Sequence, residues 1–488
     1  MKLDDYVAMD GIGLASMLRR GEITRQEILA AARAACAEVN PALNAVLEMY
    51  ADVDGAVPSM AADHGPLAGV PVLRKDVGAA EAGRLQEAAS RLLVGYRPAR
   101  DSAYVSACRQ AGMVFVGRSA TPEFAFSSAT ESLLTGITRN PWNLDRMAGG
   151  SSGGAAAAVA AGIVPIAHAS DGGGSIRIPA AACGVVGLKP SRGRVSQGPD
   201  GADSLLGLGK EFVVTRSIRD AAAALDVLGA PQPGDPFQIW SPGSSFASLA
   251  ARPPGTLRIA FTTDPWGEPR VDPQIAAAVE RAARLCESMG HQVTRATPRF
   301  DFESALSVLT TCFAFGLADL NEVAAERGVP LGPDVLEPVT LENWELCRRL
   351  TAIDIDATLT AANRLRRAVG PFFVDYDVLL TPALANPPPP HGRYSQSRTD
   401  LDPLSFMRET QYTDQFLPIF NITGQPALSI PLGLDVTGLP MGLQIVGRFA
   451  HEHVILALGS QLMNAAPVTR RPPISAGGTR DRTPANKR

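Results

Sequence analysis

The sequence predicts an α/β protein built on a large mixed, mostly parallel central β-sheet, covered on both faces by α-helices. Three observations carry that prediction. Short apolar runs bounded by Gly and Pro alternate along the chain with segments of helical period. TLRIAFT, the helical segment 273–289 and HQVTRATP follow one another as strand, helix and strand, a βαβ unit. FNITGQPALSIPLG and GLPMGLQIVG read as paired strands joined by a Gly-containing turn. With 488 residues, 45% hydrophobic and 19% charged, the composition is that of a soluble globular protein.

Taken in order, residues 10–40 read as two helices. Thr24 and Glu27 form a capping box, with Ile23 and Ile28 placed as a hydrophobic staple. Val70–Leu73, within GPLAGVPVLRKDV, is a buried strand running into Arg74, Lys75 and Asp76. AYVSACRQAG and MVFVGRS are a helix and a strand, followed by a long polar loop, 120–143, of the kind that often carries function. CGVVGLKPSRGRVS is a further strand with a Gly- and Pro-rich exit. TRSIRDAAAALDVL is a capped helix, and 300–370 is mostly helical. DYDVLLTPAL is a strand leading into a proline-rich loop, and a helix through Met463 closes the fold.

We expect a single domain over 1–470. Its helical N-terminal part is about 1–64, its core about 65–230, its Pro/Gly/Ser-rich linker about 231–256 and its C-terminal part about 257–470. The polar, basic tail 471–488 is expected to be disordered. The net charge of −4 gives nucleic acid no basic face. Six cysteines without paired spacing argue against zinc sites and disulfides. MKLDDYVAMD lacks the apolar core of a signal peptide, so a cytoplasmic protein, away from membranes, is expected.

The chemistry concentrates between Gly149 and Pro179. GGSSGG fits G-x-S-x-G, the nucleophile elbow of α/β-hydrolases, with His451 or His453 as the distant partner of Ser151. That arrangement leaves DGGGSIR without a role. Asp171-Gly172-Gly173-Gly174-Ser175 sets consecutive backbone donors beside a hydroxyl, which is what acyl transfer requires. A hydroxyl needs a base; Ser–Lys pairs are a known solution, and burial makes Lys75 a candidate by lowering its pKa.

Residues 149–180 resemble the signature of the amidase signature family, through GGSSGG, Asp-x-Gly-Gly-Ser-Ile-Arg and the following Pro. GPLAGVPVLRKD resembles that family's lysine segment, and the C-terminal strands resemble its own. From NPALNAV through TRNPWNL to VVGLKPSRGRVS the layout is similar to the subgroup holding 6-aminohexanoate cyclic-dimer hydrolases and metagenomic urethanases. The resemblance implies a Ser–cis-Ser–Lys triad: Ser175 as acylated nucleophile, Ser151 as proton relay beside a strained or cis peptide, and neutral Lys75 as base. It implies an oxyanion hole from the N–H groups of Gly172, Gly173, Gly174 and Ser175. Ser152, Asp171 and Arg177 would hold the loops, Ser152 being equally placed as a helix N-cap.

The implied function is hydrolysis of non-peptide amides, and of carbamates and esters, by a monomer or homodimer without metal or organic cofactor. The alternatives are an ammonia-donating subunit of a tRNA amidotransferase and an esterase using Ser151. Several positions depart from the pattern. Ser-Asp-Gly-Gly-Gly-Ser replaces Thr-Asp-Ile-Gly-Gly-Ser, which implies a more flexible oxyanion loop. Arg118-Ser119-Ala120 replaces Lys-Thr-Asn, and the segment after Lys75 lacks Thr-Gly-Gly-Ser. Phe126 stands where the cyclic-dimer hydrolase pattern has Asn, and points to an apolar or aromatic substrate group. Cys312 matches a substrate-side Cys. Gly150, Phe126, Cys312 and Arg194 are therefore the candidate substrate-side residues. Core packing is the alternative for Phe126 and Cys312. For Arg194 an exposed loop position is preferred over a gate.

Overall fold

The computed structural model describes residues 1–53, 65–201, 203–267, 270–467 and 470–477. One eleven-stranded sheet runs through it. Its spatial order is Val46–Met49, Val114–Ser119, Pro71–Lys75, Ile166–Asp171, Lys210–Thr215, Val186–Lys189, Ala427–Leu434, Pro440–Gly447, Val378–Pro382, Arg258–Phe261, Gln292–Arg295. The sheet is mixed, as expected, but its parallel pairing is confined to two end regions. Pro71–Lys75 pairs in parallel with both its neighbours, and Arg258–Phe261 does so at the other end. The five strands from Ile166–Asp171 to Pro440–Gly447 pair antiparallel, so "mostly parallel" does not describe the centre. The parallel ends are where crossovers such as the helix Pro273–Ser288 intervene; Ala427–Leu434 and Pro440–Gly447 need only a short turn.

Strand alternation divides the core into two. Ile259, Val378, Leu380, Leu428 and Ile445 face one apolar cluster, with the helices Arg25–Leu43, Gly153–Ala160, Ile218–Leu228 and Glu452–Ala465. Ala260, Leu379, Ala427 and Val446, their chain neighbours, face the other, with Phe302–Phe315, Pro338–Arg349 and Ala352–Val369. Successive side chains point to opposite faces, so both faces of a strand must be apolar when helices cover both. That is why these runs read as continuously hydrophobic. The N-terminal capping box forms as expected: Thr24 accepts from Glu27 N–H while Glu27 accepts from Thr24 N–H.

Two connections carry structure that composition does not show. The linker 231–256 carries a short docked helix, Phe246–Ala250. Phe246 is buried, and Phe246 N–H and Ala247 N–H donate to Asp226 at 2.6 and 3.0 Å. The start of the C-terminal tail is also packed: Ile474 N–H donates to Pro141 O at 3.2 Å and Ala476 N–H to Ala161 O at 2.9 Å. Buried Pro472 and Ala476 and these backbone bonds hold it, which composition does not register. Residues 478–488 lie outside the described residues.

Candidate active site

The site forms where the strands carrying Lys75 and Asp171 lie side by side in parallel and release their C-terminal ends together. Lys75 is fully buried. Its Nζ lies 2.7 Å from Ser151 Oγ and 2.9 Å from Ser170 Oγ. It has no salt bridge among the described residues. Burial pulls its pKa from the ordinary 10.5 down to about 7, against the opposing pull of Glu211 and Asp171. A lysine in that state is a proton acceptor near neutral pH.

Ser151 is placed by backbone contacts that only glycine permits. The Gly150–Ser151 peptide is cis. A Cβ on Gly150 would sit 2.6 Å from Ala129 N, Ala129 O and Ser127 O. Thr130 Oγ1 donates to Gly149 O at 2.9 Å and accepts from Gly153 N–H at 3.0 Å, clamping the loop on both sides of the serines. Ser152 begins the helix Gly153–Ala160 without capping it. Its hydroxyl instead donates to Ser170 O and accepts from Ser170 N–H, at 3.3 and 3.2 Å. Ser152 N–H donates to Ser175 O at 3.3 Å. The two Ser-bearing loops are thus bonded to each other.

The second loop is folded around Asp171. Its carboxylate accepts from Gly174 N–H at 2.7 Å and Ile176 N–H at 3.2 Å. Arg177 grips it through two nitrogens, both at 2.9 Å. Arg177 also donates to Leu417 O, Gln444 Oε1 and Asn421 Oδ1 at 3.0, 2.7 and 2.6 Å. Burial would raise the Asp171 pKa; the Arg177 charge overcomes this and holds it at about 2. A permanently ionised, fully bonded pair makes the loop rigid despite its three glycines.

Ser175 opens onto a cavity of about 590 Å³, shared with Ser151, Ser170, Gly172 and Glu211 and walled by Phe124, Phe126, Phe313 and Tyr96. That volume suits a small organic molecule. Phe126 meets Phe313 edge to face, with 5.1 Å between ring centres.

The chain matches the Amidase family model over residues 27–456. It belongs to the amidase signature family. It is 36% identical over 478 residues to the 6-aminohexanoate-cyclic-dimer hydrolase of Paenarthrobacter ureafaciens, covering 95% of this chain and 96% of that one. A solved structure of 6-aminohexanoate cyclic dimer hydrolase superposes with a TM-score of 0.90 at 35% identity, over 96% of this chain and 99% of that one. A bacterial aryl acylamidase of the amidase signature family does so with a TM-score of 0.85 at 27% identity, over 96% and 99%. The chain is an amidase-family hydrolase acting on C–N bonds.

Within this amidase fold, four expected placements are corrected. Gly174 N–H is spent on Asp171, so it is not a free donor; the N–H groups of Gly172, Gly173 and Ser175 donate to no described group. The carboxylate needs that bond to hold the turn, in which Gly174 has φ of +140°. The three glycines do not loosen the loop, for the same reason. Cys312 is buried on the helix Phe302–Phe315 and is not among the cavity-lining residues, whereas Phe313 and Gly316 are. Arg194 neither gates the cavity nor lies exposed. It is 2% exposed and bonded to Glu452 at 3.1 and 3.0 Å, to Ser241 Oγ at 2.6 Å and to Trp240 O at 2.8 Å.

His451 stacks on Trp240 at 5.5 Å and His453 lies tilted against it at 5.6 Å, while the hydrogen-bond partner of Ser151 Oγ is Lys75. The site also holds Ser170, His168, Glu211, Asn421 and Thr130, which sequence reasoning did not single out. A polar residue at alternate positions of AHASD, inside an otherwise apolar strand, was the available signal for His168 and Ser170.

Proposed function

We propose that this chain is an amidohydrolase cleaving C–N bonds of non-peptide amides through an acyl-enzyme on Ser175. Ser175 Oγ attacks the carbonyl carbon, its proton passing to Ser151 and the Ser151 proton to Lys75 Nζ. The N–H groups of Gly172, Gly173 and Ser175 would bind the oxyanion. The lysine then returns the proton through Ser151 to the departing nitrogen, and the C–N bond breaks. Water enters by the same relay and releases the acid. The observation that carries this reading is the buried lysine 2.7 Å from Ser151, with no carboxylate pairing it among the described residues.

Carbamates and esters present the same electrophilic carbon and oxyanion, so urethanase and esterase activity belong to the proposal. The aromatic wall of Phe124, Phe126 and Phe313 supports an aryl or otherwise apolar acyl or leaving group. The cyclic-dimer hydrolase relative adds cyclic amides to the compounds worth testing. We expect the enzyme to act on small molecules as a cytoplasmic monomer or homodimer. The test is a panel of p-nitroanilides, carbamates and linear and cyclic amides. Turnover should be abolished in K75A and S175A; parental rates in K75A with loss in H453A would refute the reading in favour of a histidine-dependent esterase.

A further inference from the structure

Next to the strand of Lys75, the strand Ile166–Asp171 pairs antiparallel with Lys210–Thr215, setting Glu211 opposite Ser170. His168 lies two residues before Ser170, so alternation puts His168, Ser170 and Glu211 on one face of the sheet. Ser170 and His168 both contact the lysine, and Glu211 lies behind His168. Ser170 Oγ lies 2.9 Å from Lys75 Nζ, and His168 Nδ1 lies 3.2 Å from the backbone nitrogen of Lys75. His168 Nε2 lies 2.5 Å from Glu211 Oε2.

The backbone bond decides the imidazole's tautomer. Lys75 N–H can only donate, so Nδ1 is the acceptor and carries no proton. The proton of a neutral ring is then on Nε2, from which it donates to the Glu211 carboxylate. His168 is fully buried beneath the Tyr104 ring, and burial holds its pKa below the usual histidine value. The ring therefore orients Glu211 without neutralising it.

The other charged groups facing Lys75 are committed elsewhere. Asp171 is paired with Arg177. Arg74, the preceding residue, faces Glu81 at 3.5 Å, and Asp76, the following one, is bonded to Arg118 at 2.9 Å. Lys210, next to Glu211 in the chain, is paired with Asp203 at 3.5 Å. Glu211 makes no ion pair with a lysine or arginine among the described residues. Space is kept for it at Gly78, where φ is +92° and a Cβ would stand 2.7 Å from both carboxylate oxygens.

We propose that Glu211, locked in place by His168, is a positioning residue for Lys75: its uncompensated carboxylate governs how readily the lysine takes the nucleophile's proton. The proposal rests on Lys75 being the base. Burial weakens the lysine as a base, and Glu211 opposes that weakening most, ahead of the already paired Asp171.

The test is the pH dependence of Ser175 modification by a fluorophosphonate and of kcat/KM for one amide substrate, in the parent, E211Q and E211D. E211Q should move the acidic inflection down by about one to two pH units, the effect of a unit charge roughly 6–12 Å away at an effective dielectric of about 20. E211D, which keeps the charge, should stay near the parent even if slower. An unmoved inflection in E211Q, with K75A inactive, overturns this inference and leaves the assignment of the base intact; an active K75A overturns both. Nitrogen NMR of selectively labelled parent enzyme gives a reading without substitution. His168 should remain the neutral Nε2–H tautomer from about pH 6 to 9. An Nδ1–H tautomer or an imidazolium in that range refutes the proposed lock.

Discussion

Replacing Lys75 by methionine should abolish turnover and, at neutral pH, stabilise the protein. Holding the pKa at about 7 against an ordinary 10.5 corresponds to about 5 kcal/mol of unfavourable burial in acid. At pH 7, where the folded lysine is half protonated, about 4 kcal/mol of this remains. Methionine fills a similar volume without the charge. It forfeits the contacts to Ser151 and Ser170, worth about 1 kcal/mol each, leaving a net gain of about 2 kcal/mol. For a chain of this length that raises Tm by about 2 °C.

The pH dependence is the sharper measurement. Below about pH 7 both folded and unfolded lysine bind a proton, and the parent bears the whole penalty. Between about 7 and 10.5 only the unfolded chain keeps it, so the parent's stability rises with pH across that window. The advantage of K75M should shrink by about 2 kcal/mol from pH 7 to pH 9 and vanish there. Calorimetry of both proteins at the two pH values reads this directly. A variant less stable than the parent at pH 7, or a difference that does not change with pH, would refute the claim that the lysine is held as a destabilised base with its pKa near neutrality.

Four further outcomes follow from particular contacts. R177K should lower activity by at least about 100-fold and melt earlier, because an ammonium cannot bridge Asp171, Asn421, Gln444 and Leu417 from one place; thermal scans and kinetics report both. G150A should leave the circular dichroism spectrum unchanged yet cut kcat by about 100-fold, since its Cβ would push Ser151 out of line. R194M should cost about 3–5 kcal/mol by stranding the buried Glu452 carboxylate, with KM unchanged, as urea titration and steady-state kinetics will show. F126N should reduce kcat/KM for an anilide by about tenfold relative to an aliphatic amide, the worth of one edge-to-face contact.

Much of the fold was legible because helices cover both faces of the sheet, so its strands read as unbroken apolar runs. Of the antiparallel centre only the pair Ala427–Leu434 and Pro440–Gly447 was legible, through its short turn; for the other strands pairing direction depends on connections between distant parts of the chain. Ser151 stood out by its neighbours, since Gly149 and Gly150 pack against backbone; Ser175 stood out by its run of glycines, and Lys75 as a charge at the end of a buried strand. Arg194 was misjudged because its partner, Glu452, is 258 residues away, and a charged residue in a Gly-rich loop looks solvated. Cys312 and Phe313 are adjacent on a helix whose rotation decides which one meets the cavity, and nothing in the local sequence sets that rotation. Gly174 looked like a free donor until the turn showed its N–H committed to Asp171. Glu211 passed unnoticed at the end of an ordinary strand, because its importance comes entirely from the strand beside it.

The most direct test of the account is to locate the acyl group. Parent enzyme treated with a fluorophosphonate, or quenched during turnover of a slow carbamate, should show one added mass, mapped by peptide sequencing to Ser175 and absent in S175A. The adduct should form on S151A and K75A at rates reduced by at least about 100-fold. A label on Ser151, or undiminished labelling of K75A, would contradict the account.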